Sequence, residues 1–131
     1  MKIKISELNS RQLDWTVTKL ELDHLVATGE HIKPWVRDAV LAGESVSAYS
    51  SDWLFGGPIV EREGIALWLS TTPEKGKWAS ADHRWMDLDP DSDEFLAMPD
   101  PWHGSTPLIA AMRCYVASRL SDEVDVPETL L

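Results

Sequence analysis

The segment from residue 105 to residue 120 has the clearest helical pattern in the chain and most limits how the chain can fold. Ser105 or Thr106 can supply the N-cap oxygen, and Pro107 follows in the first turn, where a helix tolerates a missing N–H. Large apolar side chains then recur at helical spacing on one face, at Leu108, Met112, Tyr115 and Val116. Because such a face has to be buried, we expect other elements to pack around this helix.

Alternating segments elsewhere predict the strands. Residues 2–6 alternate polar and apolar side chains, and residues 65–69 are typical of a strand with which residues 78–79 are candidates to pair. Residues 123–126 alternate again, and Pro127 limits them to a short edge strand.

Boundary residues predict two further helices. Asn9, with Gln12 three residues later, has the pattern of a capping box. Apolar residues follow at helical spacing, at Leu13, Val17 and Leu20. Pro34 can open a second helix that ends before Gly43.

These elements lack the regular strand and helix alternation of a doubly wound sheet. We therefore predict an α+β fold with one domain over residues 1–131, in which a short, mainly antiparallel sheet is packed by an N-terminal and a C-terminal helix. This length is enough to bury a core without disulfides or a structural metal. The single cysteine, Cys114, excludes an intramolecular disulfide and is expected to pack as a small hydrophobic side chain.

The charge balance limits the partners. Twelve basic and 22 acidic residues give a formal net charge of −10, which repels phosphate backbones and anionic lipids. We therefore expect no direct binding to nucleic acid and no attachment to membranes. The chain has no apolar stretch long enough to span a bilayer and its first residues lack a secretion signal, so a cytosolic protein is expected.

Residues 87–101 are rich in aspartate and proline and are predicted to form an exposed loop. The acidic run at residues 87–94 does not fit a calcium loop, because Ser92 and Met98 stand where glycine and glutamate are required. The histidines also lack ligand spacing, so neither a metal nor a cofactor is expected. The acidic run and the net charge leave a hypothesis of DNA mimicry, although solubility explains the charge more simply.

The segment from Asp52 to Pro58 has the residues of a ligand-binding loop. We predict a Gly-Gly-Pro turn in which Gly56 and Gly57 let the backbone approach a ligand and Trp53 offers a stacking face. A structural turn covered by Trp53 explains the same residues equally well.

Charged residues that follow this region suggest two kinds of site. In a strand, Glu61 and Glu63 would face one side and could share a proton or hold a cation, whereas surface ion pairs are the simpler interpretation. Arg113 lies in an otherwise apolar helix, where a cation needs a carboxylate or an anionic ligand. A pair with Glu61 or Glu63 is the simpler explanation of Arg113, and phosphate capture is the alternative.

Seven tryptophans are many for a chain of this length and invite an aromatic site for a base or a cation. Trp15 and Trp68 lie in predicted elements and are assigned to the core. Trp53, Trp78 and Trp102 lie in or beside predicted turns, so they are the candidates for an exposed stacking site.

Three segments combine apolar, charged and turn-forming residues in distinctive runs. They are residues 49–65 (YSSDWLFGGPIVEREGI), residues 106–120 (TPLIAAMRCYVASRL) and Leu13-Asp14-Trp15. In these segments the chain resembles the NinX family of small phage proteins. The resemblance implies a phage or prophage origin, usually in a cluster of dispensable accessory genes, and a location in the host cytosol. It implies no catalytic residues, because none are established for the family.

The leading functional hypothesis is a non-enzymatic accessory protein. We expect it to bind a host protein, or a small anionic or nucleotide ligand held near Trp53, Gly56, Gly57 and Arg113. This hypothesis requires the glycine turn and Arg113 to frame one recessed cavity. The apolar and tryptophan content is also compatible with a homodimer.

An alternative from another class is a hydrolase or transferase. In that case Glu61 and Glu63 would carry the acid and base chemistry, with Arg113 as an electrophilic clamp. It requires these three side chains to converge in one concave pocket.

Overall fold

A computed structural model describes residues 1–82 and 100–131 of the chain. Along the chain the elements are β1 (Lys2–Lys4), α1 (Ser10–Ala27), α2 (Pro34–Leu41), α3 (Trp53–Glu63), β2 (Ala66–Leu69), β3 (Trp78–Ala81), β4 (Trp102–Gly104), α4 (Pro107–Arg119) and β5 (Glu123–Asp125). The protein is a single small α+β domain, as predicted. The acidic run at residues 87–94, and most of the loop predicted around it, lie outside the described residues.

The strands form two small antiparallel sheets in the described part of the chain, where the sequence predicted one. β1 pairs with β5, so that Ile3 lies opposite Val124. The second sheet has the order β2-β3-β4, which leaves β4 with one partner among the described strands. The predicted strand at residues 2–6 is shorter than expected, because the chain turns at Ile5–Glu7 and buries Ile5 completely.

The capping box of α1 is formed as predicted. Asn9 Oδ1 accepts a hydrogen bond from the Gln12 N–H at 2.9 Å, and Gln12 Oε1 accepts one from the Asn9 N–H at 3.0 Å. These bonds satisfy two donors at the helix start that would otherwise lack partners. Trp15 then joins α1 to α2, because its indole N–H donates to the Val40 carbonyl at 2.7 Å.

α4 lies at the centre of the fold. Thr106 is its N-cap, with Oγ1 accepting a hydrogen bond from the Ile109 N–H at 3.2 Å. The main core joins buried side chains from α1, α3, α4 and β5, including Leu13, Val17, Ile59, Met112, Tyr115, Val116 and Val124. The apolar face predicted for this helix is therefore covered on several sides.

A glycine sets the distance between α4 and β4. A Cβ at Gly104 would lie 2.5 Å from the Ala110 backbone nitrogen and 2.8 Å from Ile109 Cγ2. Only glycine fits this contact without moving the helix, so Gly104 brings α4 against the edge of the three-stranded sheet. No helix in residues 1–82 or 100–131 is both long and apolar enough to cross a membrane.

Candidate functional site

Residues 52–58, for which a glycine turn was predicted, begin a helix. Asp52 is the N-cap of α3, since its Oδ1 accepts a hydrogen bond from the Leu54 N–H at 2.9 Å, and Gly64 ends the helix at a left-handed φ of 61°. The prediction of a turn was wrong because these two caps and the burial of one helix face outweigh the low helix propensities of glycine and proline. Pro58 has no N–H for the Leu54 carbonyl, but both residues are exposed, so water can bond to that carbonyl.

Gly56 approaches the protein's own chain. It is buried, and a Cβ at this position would lie 2.7 Å from Leu108 Cδ2 and closer still to the Tyr49 carbonyl oxygen. Gly57 is less restricted, because a Cβ there would meet only the Trp53 ring, at 3.8 Å. Packing of α3 therefore explains the close backbone approach that the sequence suggested at Gly56.

The two glutamates of the predicted paired site diverge. They lie in a helix instead of a strand, and residues two apart in a helix point about 200° apart around its axis. Glu61 is exposed, whereas Glu63 is half-buried and accepts hydrogen bonds from Arg62 at 3.3 Å and Arg119 at 2.5 Å. The expected placement of both carboxylates on one side was wrong for this reason.

An ion-pair network joins α1, α3 and α4. Arg62 donates to both carboxylate oxygens of Glu21, at 3.0 and 2.6 Å, and the Tyr115 hydroxyl donates to Glu21 at 2.8 Å. Burial alone would raise the pKa of Glu21, but the hydrogen bonds from Arg62 and Tyr115 outweigh it and lower that pKa. Burial and the bond to Glu21 raise the pKa of Tyr115 to about 12. This network holds three helices together at neutral pH.

Arg113 is not paired with Glu61 or Glu63. Its Nη1 donates to the His103 carbonyl at 2.7 Å and its Nη2 to the Leu8 carbonyl at 3.4 Å, while Nε is buried without a hydrogen-bond partner. No carboxylate of the described residues forms an ion pair with this guanidinium. Burial lowers the pKa of Arg113, because the charged form has lost solvent without gaining an opposite charge.

The geometry of α4 explains this separation. Arg113 and Arg119 are six residues apart in α4, so their side chains point about 120° apart around the helix axis. Glu63 bonds to Arg119 and therefore lies on a different side of α4 from Arg113. α3 also packs against α4 at Leu108, which lines a separate groove together with Trp53. Within the part of the chain that the structure describes, the cavity that Arg113 lines includes no residue of the glycine segment, so the two are not combined as predicted.

Arg113 instead lines a cleft of about 600 Å³, which we call the Arg113 cleft. Its described lining residues are Ser6, Thr71, Thr72, Lys75, Asp100, Pro101, Trp102, His103 and Arg113. They come from four separate parts of the chain: the turn after β1, the β2–β3 connection, β4 with the residues before it, and α4. This volume lies within the range of small-molecule sites, roughly 300–1,000 Å³.

A second glycine holds the β2–β3 connection against β4. Gly76 has a φ of 144°, and a Cβ there would lie 2.9 Å from the Gly104 nitrogen and 3.1 Å from His103 Cβ. Thr72 Oγ1 lies 3.3 Å from His103 Nε2, which joins the same two segments through side chains. This close packing brings Lys75 into the lining of the Arg113 cleft.

The tryptophans have different surroundings from those expected at several positions. Trp102 begins β4 instead of lying in a turn, and Trp53 is the first residue of α3. Trp78 begins β3, and its pairing with Leu69 confirms the predicted pairing of residues 78–79 with the strand at residues 65–69. Trp15 is buried in the core, as predicted, while Trp68 is half-buried in β2. Of the three stacking candidates, Trp102 is the one that lines the Arg113 cleft.

Sequence reasoning missed most of the cleft. Lys75 and Thr72 lie in a polar segment with an ordinary turn composition, and His103 has no ligand motif around it. Only Arg113, a cation in an apolar helix, and Trp102 were recognisable from their sequence context. In the described ranges, no three His, Cys, Asp or Glu side chains are grouped so that they could hold a metal ion.

Comparison with known proteins matches the chain to a protein family. A family model described as "Bacteriophage P22, NinX" matches residues 4–119 of the chain. The match spans every described residue that lines the Arg113 cleft, from Ser6 to Arg113. A search of curated proteins gives no match.

Proposed function

Because the chain belongs to the bacteriophage P22 NinX family, we propose that it is a phage accessory protein that acts by binding a small anion in the Arg113 cleft. The observation that carries this proposal is the environment of Arg113. Its guanidinium is partly desolvated, and its hydrogen bonds go to two neutral carbonyl oxygens. An anion in the cleft would supply the opposite charge.

The remaining lining residues fit this ligand class. Lys75 adds a second cation, and Ser6 and Thr71 add hydroxyl donors, whereas the Thr72 hydroxyl already contacts Ser70 and His103. Asp100 is the one acidic side chain among the described lining residues. Since the whole protein carries a net charge of −10, an anion has to be attracted by these local groups and not by the average field.

Isothermal titration calorimetry with inorganic phosphate tests this proposal. We expect saturable binding that Lys75→Gln weakens about fivefold, in line with a partly solvated charge contact of about 1 kcal/mol. Lys77→Gln is the matched control, because Lys77 is exposed on the same connection but does not line the cleft. Absence of binding to both phosphate and ribose 5-phosphate, or equal weakening in the two variants, would contradict the proposal.

A second candidate function, binding to a host protein, is supported by the start of α3. Trp53, Leu54 and Phe55 are three consecutive large apolar residues, all exposed, and Leu54 is exposed to 76%. Apolar surface of this kind is typical of protein interaction sites. The test is capture from infected-cell lysate with wild type, Leu54→Lys and the control Leu69→Lys. A partner that Leu54→Lys releases and Leu69→Lys retains supports this function, and equal recovery by all three proteins counts against it.

The other hypotheses have less support. The hydrolase or transferase hypothesis needs Glu61 and Glu63 beside Arg113, and neither glutamate is among the described lining residues of the cleft. DNA mimicry depends largely on residues 87–94, which lie outside the described residues. DNA mimicry therefore stays a prediction. The homodimer and the cytosolic location also stay predictions.

A further inference from the structure

The Arg113 cleft is larger than a simple inorganic anion needs. Its volume of about 600 Å³ is that of a site for a small organic molecule. A phosphate ion bound to Arg113 and Lys75 would occupy only the cationic part. The rest of the cleft therefore has room for other groups of the same ligand.

The donors in the cleft suit a phosphate ester better than a carboxylate. Arg113 and Lys75 carry two positive charges, and the hydroxyl residues Ser6 and Thr71 belong to the same lining. A phosphate monoester carries a charge of about −1.5 to −2 at pH 7 and has three strongly accepting oxygens. A carboxylate has one charge and two oxygens, so it would leave more of these donors unused.

Trp102 supplies an aromatic surface in the same cleft. Trp102 is half-buried, packs against the hydrophobic core and is also a lining residue of the cleft. Because the ring is already held by this packing, it has little conformational freedom left to lose when a ligand binds. Planar bases stack on such rings with little preference among sequences, because every base has a π-face.

Asp100 supplies a carboxylate that can accept hydrogen bonds from a ligand in the cleft. A carboxylate beside two cations would weaken the binding of a bare anion, yet it is well suited to accept hydrogen bonds from sugar hydroxyls. Carboxylates bind ribose hydroxyls in this way in dinucleotide-binding folds. The cleft thus combines groups for a phosphate, a sugar and a planar ring.

We propose that the ligand of the Arg113 cleft is a nucleoside monophosphate, with its phosphate at Arg113 and Lys75, its base on Trp102 and its ribose hydroxyls at Asp100. This proposal rests on the anion-binding function proposed above. It adds the identity of the ligand class and the part of the ligand that each side chain contacts.

Titration calorimetry on the full chain tests it with AMP, GMP, CMP, UMP, ribose 5-phosphate and adenosine. We expect at least one nucleoside monophosphate to bind about 5- to 150-fold more tightly than ribose 5-phosphate, which is the effect of stacking one base on an aromatic ring. Adenosine, which lacks the phosphate, should bind more weakly than AMP. These comparisons use the wild-type protein, so they do not depend on the folding of a variant.

Variants then assign the parts of the ligand. Trp102→Leu should remove the advantage of the nucleotide while leaving the affinity for ribose 5-phosphate. Trp35→Leu is the matched control, because Trp35 is 68% exposed and lies in α2, away from the cleft lining. Asp100→Asn should narrow the difference between AMP and its 2′,3′-dideoxy analogue.

Two outcomes separate this proposal from the one on which it depends. If ribose 5-phosphate binds and no nucleoside monophosphate binds more tightly, the nucleotide proposal is overturned and anion binding stands. If phosphate, ribose 5-phosphate and the nucleotides all fail to bind, both proposals are overturned. Equal affinity for AMP and adenosine overturns the assignment of the phosphate to Arg113 and Lys75.

Discussion

Gly56 and Gly57 are adjacent in α3, but the structure needs a glycine only at Gly56. At Gly56 a side chain would collide with the Tyr49 carbonyl and with Leu108. At Gly57 a methyl group would make an ordinary contact with the Trp53 ring. The two residues therefore provide a matched pair for testing how α3 is packed.

Alanine substitutions at these two positions should have opposite effects. Gly56→Ala is expected to lower the free energy of unfolding by about 1–3 kcal/mol, because the overpacked helix has to move. Gly57→Ala is expected to raise it by about 0.5–1 kcal/mol, because alanine loses less conformational entropy in a helix. Urea unfolding of both variants measures these changes. Equal effects would show that α3 does not pack as described.

Glu21 gives the protein a defined response to acid. Its pKa is lowered from the ordinary 4.5, so the folded protein binds this proton less readily than the unfolded chain. Its stabilising effect is therefore fully present above about pH 4.5 and is lost as the pH falls through the lowered pKa.

Glu21→Gln should reproduce this loss at neutral pH. We expect the variant to unfold about 1 kcal/mol more easily at pH 7, a modest value because the carboxylate is only half-buried. The difference from wild type should shrink as the pH is lowered below 4.5. Denaturant unfolding between pH 3 and pH 7 measures it, with Glu30→Gln, an exposed residue after α1, as the control. A difference that grows on acidification would exclude this role.

At the scale of elements, the ends of the helices are set by single residues. The N-caps of α1, α3 and α4 are Asn9, Asp52 and Thr106, and the side chain of each accepts a hydrogen bond from a backbone N–H. Ser105 was an equal candidate for the start of α4 in the sequence. The structure assigns the cap to Thr106.

The two candidates for the cap of α4 can be separated by experiment. Thr106→Ala should lower the free energy of unfolding by about 1 kcal/mol, because the Ile109 N–H loses its partner. Ser105→Ala should change it by less than about 0.5 kcal/mol, since Ser105 is exposed and is not the cap. Thermal and urea unfolding of both proteins provide the measurement. A larger loss of unfolding free energy in Ser105→Ala than in Thr106→Ala would show that Ser105 is the N-cap of α4.

For the whole molecule, α4 and α2 represent two extremes of packing. α4 contacts both α1 and α3 as well as the three-stranded sheet, and seven of its residues are buried. α2 has eight residues, of which only Val40 is buried. Local stability follows such differences in burial, so the two helices should open independently.

Amide hydrogen exchange followed by mass spectrometry measures this difference. Peptides from residues 110–116 should exchange most slowly, at the rate of global unfolding. Peptides from Pro34–Leu41 should exchange faster than those of the other three described helices. Equal protection of α2 and α4 would show that α2 is part of the same cooperative unit.

The sequence alone determined the features that depend on neighbours along the chain. The capping box at Asn9, the proline at the start of α2, the apolar face of α4 and the alternating strands involve contacts within a few residues. Such contacts form in nearly the same way whatever the rest of the fold does. The α+β class followed from the order of these elements.

Only the tertiary structure decided the features that depend on distant segments. Gly56 is helical because α3 fits against Tyr49 and Leu108, and this fit has no signature in the local sequence. Arg113 faces Lys75 and Trp102 because Gly76 and Gly104 bring their segments into close contact. The composition of the cleft is therefore a property of chain packing, and it becomes visible only when these segments are brought together in space.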